Sequence, residues 1–202
     1  MNFPITLDHD LALRPYTIDD AARLFAVLDA DRASIGEFML WVHKTDTVEK
    51  AREVLAQWIA QSQANGELTL AIEYHGRLVG TVFHCHADRE HQRIEIGYWL
   101  TSAARGKGIA TRAVGKMFDL TFDELGFHRA CLMISSRNAK SLALAERLGI
   151  EREGVLRDFW TMPGEDRHDA VVYATTADRW PRSSATSESQ SETERDTPDG
   201  GA

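Results

Sequence analysis

Apolar and polar positions alternate most cleanly over residues 94–100, where Ile94, Ile96, Tyr98 and Leu100 are interleaved with Glu95, Gly97 and Trp99. A period of two is the mark of a pleated strand. Residues 11–15, 68–74 and 78–85 also read as strands and 130–134 as a short buried one, and a last pair is expected over about 151–160 and 167–176, joined through Met162-Pro163-Gly164-Glu165. His75-Gly76 sets a tight hairpin between two of these runs, and Asp88-Arg89-Glu90-His91 makes the next turn. Elsewhere the period changes to that of a helix. Thr17 with Asp19 and Asp20 opens one whose apolar face is Ala21, Leu24, Phe25, Val27 and Leu28; Thr47 opens a long one through Val54, Leu55, Trp58 and Ile59 to Asn65-Gly66. A third is expected over about 106–125 with Ala113, Val114, Met117 and Phe118 inward and Gly126 closing it, and a fourth over 139–148 ending at Gly149. This order predicts an α+β fold: a central mixed, mostly antiparallel sheet flanked by helices.

With 202 residues, 43% of them hydrophobic, the chain can bury one good core. The expected organisation is one domain over 1–180 and an acidic, Ser/Thr-rich disordered tail over 181–202. No run of about 18 apolar residues is present, and the opening MNFPITLDHD lacks the basic and apolar regions of a secretory signal. The expected location is therefore the cytoplasm, with no membrane contact. A formal net charge of −8 argues against a nucleic-acid binder and suits basic proteins or amines. Cys85 and Cys131 sit in apolar runs without a Cys-x-x-Cys partner and read as buried free thiols. His84 and His86 alternate along one strand, but lack a third ligand at metal spacing and read as ordinary strand residues.

The strand at 94–100 runs into Arg105-Gly106-Lys107-Gly108-Ile109-Ala110-Thr111, where a helix is expected to begin. Unscreened backbone N–H groups at the positive end of a helix form a phosphate cradle, and glycines let a ligand approach them. Walker spacing would put Ser or Thr after Lys107, and Gly108 stands there; the dinucleotide fingerprint fails too. What fits is the pattern (Gln/Arg)-x-x-Gly-x-(Gly/Ala). With Asn138-Ala139-Lys140-Ser141, Ala145-Glu146-Arg147-Leu148-Gly149-Ile150 and Glu153-Gly154 following in order, the chain resembles the GCN5-related N-acetyltransferases (GNAT) over roughly residues 8–178. Among these it is most similar to the RimJ/RimL-like branch.

The resemblance implies an acetyl-CoA-dependent N-acetyltransferase whose sheet splays between the fourth and fifth strands, counted from residues 11–15, to admit the pantetheine arm. Acetyl-CoA would be the co-substrate, with no metal. The pyrophosphate would lie on Arg105, Gly106, Lys107, Gly108, Ile109, Ala110 and Thr111, and the main chain at Trp99, Leu100 and Thr101 would pair with pantetheine. Asn138 would hold the pantetheine and Ser141 would protonate the leaving thiolate. Glu95 is the candidate base, with a solvent-facing strand residue as the alternative. Asn138 also reads as a plain helix N-cap. The branch carries a carboxylate after Glu153-Gly154 where this chain has Trp160, with Asp158 only nearby, while His168-Asp169 matches a His-Asp pair whose role is structural or catalytic. Phe38, Met39, Leu40 and Trp41 read equally as core or as substrate wall. The expected acceptor is a protein N-terminal α-amine. Small amines, a succinyl-CoA-type donor and a non-catalytic acyl-CoA sensor remain as alternatives, with a homodimer left open.

Overall fold

The computed structural model describes residues 1–162 and 166–181. The expected tail, from residue 182 on, and the turn residues 163–165 lie outside the described residues. Eight strands form one sheet: β1 Ile5–Thr6, β2 Leu11–Pro15, β3 Thr69–Tyr74, β4 Arg77–Asp88, β5 Arg93–Leu100, β6 Arg129–Ser135, β7 Glu151–Thr161 and β8 Arg167–Thr176. Their order is β1-β2-β3-β4-β5-β6-β8-β7. Every neighbouring pair is antiparallel except β5–β6. That parallel pair is brief, matching Arg93, Ile94 and Glu95 with Arg129, Ala130 and Cys131. Beyond Glu95 the two strands part, which is the expected splay, one strand later in the count because β1 was not foreseen.

Among the described residues five α-helices cover the sheet: α1 Ala21–Ala30, α2 Arg32–Gly36, α3 Val48–Asn65, α4 Ile109–Asp119 and α5 Ala139–Arg147. The Thr17 signal is a capping box with Asp20, whose carboxylate also accepts two bonds from Arg14 at 2.8 and 2.7 Å. Thr47 Oγ1 caps α3 through the Lys50 N–H, and Gly66 closes it in the left-handed region at φ 72°. Packing on the two sheet faces makes two cores. One gathers Ile94, Ile96 and Leu100 of β5 with Ile109, Ala113, Met117 and Phe118 of α4; the other gathers Trp99 with Leu24, Leu28 and Leu55. β5 therefore feeds both, as its alternation requires.

The helix expected over about 106–125 departs from expectation at both ends. It starts at Ile109 rather than Gly106, because Gly106 and Gly108 sit at φ 77° and 72°, outside the right-handed helical region. Its last turn widens to a π-turn over Leu120–Glu124, with Leu125 N–H bonded to Leu120 O at 3.0 Å. Thr121, within that turn, donates to Met117 O and accepts from His84 Nε2 at 2.8 Å, while His84 Nδ1 accepts from Leu68 N–H. The two donations fix the tautomer of a fully buried histidine. His84 is thus a core residue, whereas His86, across a bulge and at φ 55°, is exposed. Cys85 and Cys131 are free and half-buried rather than buried. Among the described residues no helix is long and apolar enough to cross a membrane.

Candidate active site

The turn between β5 and α4 is held before it can bind anything. Ser102 Oγ donates to Asp31 Oδ1 at 3.0 Å, tying it to the α1–α2 junction, and the Arg105 guanidinium donates to Leu100 O and Ser34 O at 3.2 and 3.4 Å. Arg105 is therefore a brace as well as a charge. The first ladder bond of α4 runs from Arg112 N–H to Gly108 O, so the N–H groups of Ile109, Ala110 and Thr111 precede it. A Cβ built on Gly106 or Gly108 would meet nothing within 4 Å. The space above the loop is open, and oriented donors face it at the helix N-terminus.

That space belongs to a cleft of about 950 Å³ in the gap between β5 and β6. Trp99, Leu100, Arg105, Gly106 and Gly108 line one side, followed by Ile109, Ala110 and Thr111. Asn138 and Ser141 line the other from the start of α5. Two expected contributors stand apart. Lys107 is not among the lining residues; its Nζ lies 5.6 Å over the Tyr74 ring. Thr101 is absent too, and its N–H is taken by Val79 O at 2.9 Å. Because main-chain groups alternate along a strand, Thr101 and Trp99 direct theirs toward β4, whereas Tyr98 and Leu100 direct theirs into the gap. The pairing expected of Trp99 and Thr101 thus shifts to Tyr98 and Leu100.

Tyr98 also supplies a hydroxyl that the sequence reading overlooked. It lies 2.7 Å from Ser141 Oγ, and burial raises its pKa, which keeps it protonated. Ser141 in turn gives its N–H to Asn138 Oδ1 at 3.2 Å, so Asn138 does cap α5. Its amide nitrogen is left as a donor at the cleft. Alternation would have placed Tyr98 on the right strand edge, but nothing in 94–141 announces a contact spanning 43 positions.

A second cavity of about 370 Å³ meets the cleft at Tyr98, Asn138 and Ser141. Phe38, Met39, Leu40 and Trp41 form part of its wall, while Met39 and Trp41 also pack on the second core. Glu95 lies in this cavity, its side chain 17% exposed, with His86 Nδ1 3.0 Å from Oε2. Burial raises the Glu95 pKa, and the His86 contact pulls it back down. Cys85, His86 and Glu95 bring ligand-type atoms within 4.8 Å of one another. The third partner for His86 comes across the sheet, which spacing along one strand could not reveal. Trp160 lines the same cavity. Asp158 is exposed on the β7 bulge at φ 50°, its N–H donating to Asp169 Oδ1. His168 is buried between Ser135 Oγ at 2.8 Å and Asp166 Oδ2 at 3.2 Å, a structural network that bypasses Asp169.

Comparison with known proteins follows the same lines. The model of the acetyltransferase (GNAT) domain matches residues 10–151. A Bacillus subtilis (strain 168) protein named as a ribosomal N-acetyltransferase, YdaF, is 27% identical over 88% of this chain and 97% of its own. The structure of Mycobacterium smegmatis RimJ with CoA-disulfide aligns with TM-score 0.78 and 26% identity, covering 86% of this chain and 85% of that one. A RimL ribosomal L7/L12 alpha-N-protein acetyltransferase with coenzyme A superposes at TM-score 0.81 over 86% of this chain and 97% of its own, a likeness of fold at 21% identity. The bare helix terminus, the splayed strands and these matches agree: the chain belongs to the GNAT N-acetyltransferases, in their RimJ/RimL-like branch.

Proposed function

We propose that the enzyme acetylates the α-amine at a protein N-terminus. The observation that carries this reading is the junction of two cavities at Tyr98, Asn138 and Ser141: one ends at a helix N-terminus, the other holds a half-buried carboxylate. Acetyl-CoA supplies the acyl carbon and a thiolate leaving group. Its diphosphate would lie on the N–H groups of Gly108 to Thr111. The free main-chain edge at Tyr98 and Leu100 and the Asn138 amide would hold the pantetheine, leaving the thioester at the junction.

Proton traffic then divides between the cavities. The acceptor amine must be neutral to attack; Glu95, in its ionised form, takes the surplus proton directly or through water. The new C–N bond forms, the C–S bond breaks, and the hydroxyl pair Tyr98–Ser141 gives a proton to the sulfur, yielding an amide and free coenzyme A; the proton held by Glu95 then returns through water to the hydroxyl pair, which restores both groups. An N–H of the gap-facing edge is placed to polarise the thioester carbonyl.

The test is thiol release from acetyl-CoA with a panel of peptides and small amines, products read by mass spectrometry. Acetylation at peptide N-termini is expected; acetylation of small amines alone, or donor binding without thiol release, overturns the reading. Gly108→Glu checks the cradle separately. A carboxylate there repels the diphosphate, and a side chain at φ 72° costs about 1 kcal/mol. Calorimetry should show lost acetyl-CoA binding with a cooperative thermal transition retained.

A further inference from the structure

The Glu95 cavity has a composition of its own. Phe83 and Met133 rise from the sheet, Met39 and Trp41 cover it from the segment after α2, and Trp160 and Met162 close it from the end of β7. A Cβ on Gly97 would come within 2.4 Å of the Phe83 ring, so the missing side chain makes room for an aromatic floor. Trp160 reaches the cavity because the β7–β8 register shifts between Leu156 and Trp160. Among the described residues, Glu95 is the sole charged side chain lining it. No Lys or Arg is there to receive a carboxylate, and one carboxylate alone does not match a polyamine's repeated charges.

We infer, resting on the N-terminal reading, that this cavity selects the first residue of the acceptor chain, and that it takes a large apolar side chain, Phe, Met or Leu, in preference to Ser, Ala, Gly or Asp. The side chain lies between the Phe83–Met133 floor and the Trp41–Trp160 cover while the amine stays at the Tyr98–Ser141 junction. Burying an aromatic or long aliphatic group against these walls removes apolar area from water, whereas Ser or Ala would leave the space wet. The thioethers of Met39, Met133 and Met162 adapt to differing shapes. An Asp in first position would bring a second carboxylate toward Glu95.

Peptides identical from the second residue on and differing in the first decide it. With acetyl-CoA saturating, kcat/KM for Phe, Met and Leu peptides should exceed that for Ser and Ala peptides by about ten-fold or more. Trp160→Ala should lower the rate on the Phe peptide several-fold, change that on the Ala peptide little, and leave the acetyl-CoA KM unaltered; Met133→Ala, on another strand, repeats the test should Trp160→Ala fail to fold. Ser or Ala peptides turned over as fast as Phe overturn this inference and leave the N-terminal reading intact. Turnover of phenethylamine with no peptide acetylated overturns the N-terminal reading and, with it, a peptide as the occupant.

Discussion

Two hydroxyls lie 2.7 Å apart at the junction; in the proposed mechanism they share one task, and they differ in what surrounds them. Tyr98 is carried by the strand that packs into both cores, and burial raises its pKa; Ser141 rides on the first turn of α5. A phenol is the stronger acid of the two, and the serine positions it or relays its proton. Ser141→Ala and Tyr98→Phe should each lower kcat by about 10²-fold with donor affinity nearly unchanged, and the double variant should lose little more than either. Pre-steady-state thiol release checks this; an undiminished rate in one variant removes that hydroxyl from the proton path. Glu95 is argued the same way. With Glu95 as the proposed base, its raised pKa means that, as pH falls, it is protonated before an ordinary glutamate would be, so activity should be present above that pKa and lost below it. The acid limb of kcat/KM should lie above the usual glutamate range and vanish in Glu95→Gln.

At the scale of elements, the site is a strand edge facing two helix N-termini, and α5 shows how one side chain serves fold and site together. Asn138 Oδ1 caps the helix by accepting from Ser141 N–H, leaving its NH₂ for the cleft. Asn138→Ala should cost about 1 kcal/mol and weaken acetyl-CoA binding. Asn138→Asp keeps the acceptor and suits the helix dipole, so it should restore the melting temperature but not the binding. Recovery of both would show that only the cap matters. Much of this was legible because it is local: alternation on β5, glycines before a helix, and Asn three before Ser are chemistry written over a few adjacent residues. β1 was not, since a two-residue strand carries no period and exists only by pairing Ile5 with Leu13 and Thr6 with Ala12. Nor was the delayed start of α4, which needed the backbone angles of Gly106 and Gly108. The Glu95 cavity was least legible. Its walls come from separate segments near residues 39, 83, 95, 133 and 160, and Trp160 read as a missing carboxylate until the β7 bulge turned it inward.

Across the whole molecule, the sheet's two cores are joined to their helices by polar groups whose titration governs how the fold meets acid. His84 is 3% exposed and bonded as the neutral form between Leu68 N–H and Thr121, linking β4 to the π-turn after α4. Burial, and secondarily the charge of Arg89, lowers its pKa to about 3 from 6.5. Between those values the unfolded chain binds a proton that the folded chain refuses, so stability rises with pH through this window and is lost as pH falls from about 6.5 toward 3. Asp20 acts in the same direction lower down. Its bonds to Arg14 outweigh its burial and hold it near 2 against 3.8, so its contribution is full above 3.8 and fades as pH drops through 2. Glu95 opposes both, since a raised carboxylate pKa gives stability at low pH that is lost as pH rises. Its side chain keeps 17% of its surface in water, against 3% exposure for His84, and its shift is the smaller, so the histidine prevails. Urea unfolding should therefore give a stability that falls by on the order of 2–3 kcal/mol between pH 6.5 and 4. His84→Gln, which keeps a donor and an acceptor but cannot be protonated, should start lower and decline less over the same interval. A wild-type profile flat across that interval would mean that His84 takes its proton without leaving the core.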